Sequence, residues 1–389
     1  MQIDFHYYAT YCAAVIAGYS HDESLEICTA SQYVDCCTKT SLKKMKAPLS
    51  AATTQTKMEM MEADPGILCL QDITRIWASF HFLPGDLTAK KPHCSRRYLN
   101  KYRLICQPNS TLLTETLRQA KKIGSLQAIG IAMHVLADTW AHRNFAGTPS
   151  MVINNVSSDC YELRIIDGET VEKRIDFRHK VSGEDDPENG KYTCTVPQFR
   201  ENSVMNLGHG RIGHLPDYSF IRYRYLPAWA DYESLLKDNP TEYLHAFAQM
   251  VYAMKWLKGI TPEPAMETYD WDGIKGVRSE VETILAKRQL LASADWKELG
   301  EKLSGHEIPE FTELKYEQEY MEAGRQEKDN TALGRFIYAA LAQKSMVTKK
   351  IFDSGNLTAG FSVDYLTRGF HGMKDYRKLT DQIKGGKNL

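Results

Sequence analysis

Residues 134–142 read HVLADTWAH and set His134, Asp138 and His142 at i, i+4 and i+8. On a helix each step of four advances about 400°, so the three side chains share one gently drifting stripe. Two imidazoles and a carboxylate on one stripe are donor types of a transition-metal site. The flanking Leu126, Ile129, Ile131, Met133, Val135, Leu136 and Trp140 predict a helix that is apolar nearly all round. Polar groups buried on such a helix must be satisfied, by a bound ion or by one another. Three at this spacing favour the metal. A hydrogen-bonded His–Asp–His cluster that only supports packing is the competing reading.

The second segment of this kind is Gly208-His209-Gly210-Arg211-Ile212-Gly213-His214-Leu215-Pro216-Asp217. Glycine permits close backbone approach, and Pro216 fixes the chain ahead of Asp217. His214 and Asp217 are three apart and can share an ion, so His214 is expected to take part ahead of His209. A Gly-rich loop with solvent-facing histidines is the alternative. His6 and His81 also lie among aromatic and apolar residues, whereas His93, His179, His306 and His371 sit in polar contexts typical of a surface. His21-Asp22 has the form of the His-Asp doublet of phosphohydrolases, but it stands at a helix start, where Ser20 or Asp22 reads as a cap. His245 lies on an amphipathic helix and reads as packing.

Taken along the chain, the order is His6, Asp35 in SQYVDCC, His81 in FHFLPG, the His134/Asp138/His142 helix, then His209, His214 and Asp217. This order resembles the zinc-dependent phospholipase C and S1/P1 nuclease superfamily, whose ligands run N-terminal amine, His, Asp, His, a His-x3-Asp…His helix, then His-x3-Glu. MQIDFHYYAT and ADTWAHRNFAG are also similar to an uncharacterised bacterial family of that type. The resemblance covers roughly residues 1–260. It implies a helical fold around two or three zinc ions, other divalent transition metals being possible. Asp35, His81, His134 and Asp138 would hold one ion, with Asp138 bridging to a second held by His142, His214 and Asp217. His6 would serve a third, with Asp4 as its companion. In this chain the Asp138–His142 gap is shorter than in the family, and His209…His214-x2-Asp217 replaces the final His-x3-Glu.

Such a cluster would generate a hydroxide near neutral pH and clamp a phosphoryl oxygen. Asp35 stands where the superfamily has a catalytic carboxylate, so the resemblance also makes it the general base. Arg143 and Arg211 are the candidates to face a phosphate. The basic-aromatic stretches Arg96–Arg103 and Arg222–Tyr225 can grip phosphates and stack bases, or simply lie along the surface. The resulting expectation is a zinc-dependent hydrolase of a lipid, nucleotide or nucleic-acid phosphoester. The alternative is a non-catalytic binding or scaffold protein with a structural metal.

The rest of the chain must position these groups. Its 389 residues, 43% hydrophobic and 25% charged, are those of a globular protein, and a net charge of −1 gives no general pull toward nucleic acid or anionic membrane. No apolar run is long enough to span a bilayer, and the N-terminus lacks the basic start and apolar middle of a leader, so a cytoplasmic location is expected. Nine scattered cysteines without a CxxC pair read as free thiols. Apolar periodicity predicts helices over about 6–18, 23–37, 70–80, 111–123, 200–212, 240–258, 275–304 and 329–350. Residues 150–200 alternate and carry Asp167-Gly168 and Asn189-Gly190 at expected hairpin turns, which predicts a small β insertion. The expected class is mainly α: a phospholipase C/P1 nuclease-like metal-binding core over 1–260, with a helical extension over 261–389.

Overall fold

The computed structural model describes residues 1–61, 67–179, 184–194 and 206–360. Among these residues the chain is mainly α, with fourteen α-helices and six short strands. No helix among them is long and apolar enough to cross a membrane.

The helix Leu126–Ala141 is the axis of the fold. Ser125 caps it by accepting from the Ala128 amide, and every residue from Gln127 to Ala141 is buried. A helix apolar on all sides is stable only when enclosed. Four helices enclose it: His21–Tyr33, Thr111–Ile123, Asn239–Leu257 and Ala332–Asp353. The first begins at a reciprocal capping box, Ser20 with Glu23, so the cap is Ser20 rather than Asp22. It crosses the axis at Gly130, where an added Cβ would come within 2.4 Å of the Ile27 carbonyl oxygen. That close approach sits one turn ahead of His134. Ile274, Leu285, Trp296, Phe336 and Val347 join the same apolar core, so the helices after residue 260 pack against those before it.

The β segment differs from expectation in two respects. Asp167-Gly168, both at positive φ, do close a hairpin between Tyr161–Ile166 and Glu169–Arg174. Asn189-Gly190 instead belong to a tight loop closed by Asp186 and Lys191, and the strand that follows, Lys191–Cys194, pairs in parallel with Asp176–His179. The sheet also outruns the expected insertion: Arg222–Tyr225 pairs with Tyr161–Ile166, and Leu235–Asp238 pairs with Arg222–Tyr225. Tyr223 and Tyr225 from this sheet bury against Phe145, Ile212 and Leu215 in a second apolar cluster. Of the helix expected over 200–212, residues 200–205 lie outside the described residues, and 206–212 are not helical but run through turns. Backbone constraints explain these turns. A Cβ at Gly208 would meet the Phe82 ring at 2.2 Å, and one at Gly213 the Thr193 carbonyl oxygen at 1.9 Å, both at positive φ.

Candidate metal centre

The chain opens with a π-helical turn, Asp4–Ala9, that runs into the helix Thr10–Ile16. Single π turns recur at functional sites because they re-aim side chains. Asp4 anchors this one, accepting from the Phe5 and Ala292 amides at 2.9 Å each. Burial pushes its carboxyl up to about 6. Asp4 therefore ties the N-terminal segment to residues far along the chain. Asp4 is not among the donors that converge with His6, which are His134 and Asp138.

His6 is fully buried and lies against the central helix, where it meets the predicted stripe. Asp138 is the hub. Its Oδ1 is 2.7 Å from the Met1 amine and 3.2 Å from His6 Nε2. Its Oδ2 is 3.1 Å from both His81 Nδ1 and His134 Nε2. Asp35 stands behind these two imidazoles, with Oδ1 at 3.8 and 3.9 Å. Asp217 is the second hub. Its Oδ1 is 3.2 Å from His142 Nε2 and 3.3 Å from the Met1 amine, and its Oδ2 is 3.7 Å from His209 Nε2. Three sets of donors each converge within 4.8 Å: His6/His134/Asp138, Asp35/His81/His134 and His142/His209/Asp217.

The backbone fixes how these rings are turned. His134 Nδ1–H donates to Ser31 O at 2.9 Å, His81 Nε2–H to Thr53 O at 3.0 Å, and His142 Nδ1–H to His81 O at 2.6 Å. His209 Nδ1–H donates to Gly213 O at 2.6 Å. A neutral imidazole that gives its one N–H to a carbonyl presents a bare lone pair on the other nitrogen. All four lone pairs then face carboxylate oxygens, and His81 Nδ1 and His134 Nε2 face each other at 3.3 Å. Acceptor is set against acceptor throughout. Only a cation between them, whether proton, ammonium or metal ion, makes such an arrangement favourable. Carbonyl-oriented imidazoles beside carboxylates are the outer-shell pattern of metal sites.

The electrostatics agree. Burial, with the neighbouring His134 for His6, holds His6 and His134 down at about 4, and His209 is held at about 4 chiefly by burial. Burial opposes ionisation of Asp138 and Asp217, yet the surrounding imidazoles and the Met1 amine hold both carboxyls well below the usual range. The Met1 amine is buried too, but Asp138 and Asp217 outweigh that and keep it at about 11. Asp35 moves the other way, its carboxyl raised by burial.

A cavity of about 550 Å³ opens onto the cluster. Asp35, His81, Asp138, His142 and Asp217 reach it, while Trp77, Phe82, Met60 and Leu207 make its wall largely apolar. Arg211 and Lys57 also line it. Lys57 carried no sequence signal. His209, rather than His214, completes the converging set; His214 sits on the outer side of Asp217, 3.0 Å from Oδ2 and 42% exposed. Arg143 does not face this cavity. It follows His142 round the helix end and approaches Glu242 at 3.4 Å. Arg222 and Arg224 are engaged by Asp238 and Glu172 along the sheet. His21 bonds Tyr11 and stacks on His306, away from the cluster.

Comparison with known proteins places the chain at family level. It matches DUF6765, a family of unknown function, over residues 1–351. The chain belongs to that family. The matched region contains the whole cluster and both helices that pack behind it from beyond residue 260, Ser293–Ser304 and Ala332–Asp353, apart from the last two residues of the latter. No curated protein and no solved structure matches.

Proposed function

We propose that this protein is a metal-dependent hydrolase of phosphoesters, with zinc as the metal and a helical core of the phospholipase C/P1 nuclease type. The observation that carries the reading is the convergence of bare imidazole nitrogens on shared carboxylates beneath a cavity. The residues fit the group. His6 adds to it, since both its ring nitrogens are buried without a hydrogen bond. Asp35, His81, His134 and Asp138 would hold one ion, and His142, His209 and Asp217 another, with His6 and the Met1 amine as further donors. Imidazole and carboxylate without thiolate suit zinc in an open, catalytic setting. Two such ions would lower the pKa of a bound water and offset charge on a phosphoryl oxygen.

The chain's own groups would do the rest. Asp35 reaches the cavity, and burial raises its pKa, which makes it a stronger base than an exposed carboxylate. Arg211 and Lys57, which line the cavity, would bind phosphate oxygens. The apolar wall excludes water and strengthens each of these charges. The test is hydrolysis by metal-loaded protein of a panel spanning nitrophenyl phosphomonoester and phosphodiester, nucleotides, single-stranded nucleic acid and phospholipid. Chelator, His134→Ala and Asp35→Asn are each expected to abolish the rate on the class that is cleaved. Wild type no faster than both variants on every class would turn the reading to a structural metal in a binding protein.

A further inference from the structure

The last turn of the central helix serves two cavities. Asp138 and His142 line the one above; Trp140 and Arg143 line a second, of about 730 Å³, within the size range of small-molecule sites. Its polar groups are set from behind by a relay. Trp140 Nε1–H donates to Gln249 Oε1 at 2.8 Å, Gln249 Nε2–H to Asn109 Oδ1 at 2.7 Å, and Asn109 Nδ2–H to the Tyr269 phenol oxygen at 3.1 Å. The Tyr269 O–H is thereby left to donate. Gln107 spends its amide N–H on Asn144 Oδ1 at 2.8 Å, which leaves Oε1 as an acceptor. His245 Nδ1–H donates to Thr241 O at 2.8 Å, which leaves Nε2 as an acceptor. Among the described residues no protein group answers these three atoms. Arg143 Nε is likewise buried without a partner.

The charges are already balanced. Glu242 pairs with the buried Lys237 and with Arg143, and Asp238 pairs with Arg222. The half-buried rings of Tyr269 and His245 stand perpendicular, 5.1 Å apart, and supply apolar surface beside the outward donors and acceptors. Oriented hydrogen-bonding groups of both kinds, ring surface and little net charge complement a neutral polyhydroxyl ring with one C–H face. An anion would meet Asp238, Glu242 and Glu267. A cation would find two of those three carboxylates already neutralised.

The geometry points to this second cavity as a saccharide-binding site, with Tyr269, Gln107, His245 and Arg143 holding the sugar hydroxyls. It stands independently of the metal reading. The experiment is saturation-transfer difference NMR on the full chain with maltose, cellobiose and N,N′-diacetylchitobiose, alongside tetramethylammonium and inorganic phosphate. At least one disaccharide should show transfer, and Tyr269→Phe and His245→Ala should each weaken its binding about tenfold, the worth of one well-made hydrogen bond. Tyr269→Phe keeps the ring, so its loss reads the phenol group, both the outward donor and the acceptor for Asn109. The proposal is overturned by absence of transfer from all three disaccharides to folded protein. Binding as tight in both variants as in wild type, or a response confined to tetramethylammonium or phosphate, overturns it as well.

Discussion

His6 lies parallel to His134, with ring centroids 3.8 Å apart, and the two rings aim their Nε2 atoms at opposite oxygens of Asp138. Residues 128 positions apart thus share one carboxylate, each through a different oxygen. That disposition suits the proposed bridging role, and it makes Asp138 the residue on which the cluster depends most.

Asp138→Asn should therefore lower both metal content and stability. It removes the charge that opposes the Met1 amine and the surrounding imidazole positions, and breaking a buried charge cluster costs about 3–5 kcal/mol. His93→Ala, at an exposed position outside the cluster, should stay within about 0.5 kcal/mol of wild type. Melting temperature and elemental analysis on both variants check this. Equal values for the two would remove Asp138 from its bridging role.

Metal content is the more direct measurement. Protein purified with zinc present and no chelator should carry about two ions per chain or more, and should lose them with a fall in melting temperature when chelated. A content below about one ion per chain would leave the cluster to be held by protons and the Met1 amine alone.

The stripe on the central helix was legible because helical periodicity converts spacing directly into a shared face. His134, Asp138 and His142 needed nothing else. His6, Asp35 and His81 gave no local signal of meeting that face; the family resemblance supplied their order, and the tertiary packing brings them to it. Three things had no sequence signature. The Ser31, Thr53, His81 and Gly213 carbonyls that orient the imidazoles are backbone atoms, which every residue has. His209 reaches the centre and His214 the rim because Gly208 and Gly213 adopt positive φ. His214 and Asp217 do meet across the helical turn Leu215–Asp217, while His209 is the imidazole of the converging set. Arg143 adjoins His142 in sequence, yet the next position on a helix is rotated about 100° away, which carries it to the other cavity. The β segment was legible as alternation and turn chemistry, but its partners at 222–238 lie across residues whose pairing no local pattern encodes.

Gly130 offers a test of how the fold sets the site. Its backbone touches Ile27 and Ala30 of the neighbouring helix, and His134, one turn on, bonds Ser31 of the same helix. Gly130→Ala raises helix propensity but forces the two helices apart. Overpacking should win, destabilising the protein by about 1–3 kcal/mol. The shift should also loosen His134, so that metal is lost at lower chelator concentration than in wild type. A stabilised variant with unchanged metal retention would show that the contact yields without cost.

The metal-free protein should have a pH profile of determinate sign. His6, His134 and His209 are held at about 4 in the folded state against an ordinary value of 6.5. Between those values the unfolded chain binds more protons than the folded one, so stability rises with pH across this window. It is lost as pH falls from 6.5 through 4. Asp4 and Asp35 act in the opposite sense, because carboxyls raised by burial, Asp4 to about 6, take their protons first in the folded state, but they are two groups against three. On the alkaline side the Met1 amine, held at about 11 against an ordinary 8.0, contributes stability that is complete below 8 and lost as pH rises through 11. Chelated protein should accordingly melt highest at about pH 7–8, and its melting temperature should fall steadily toward about pH 5. Metal-loaded protein should fall more steeply over the same range, because protons then compete with the ion for the same nitrogens. Scanning fluorimetry across that range with and without chelator measures both slopes. A chelated protein whose melting temperature is flat or rises toward acid would mean that these imidazoles are not buried as neutral bases.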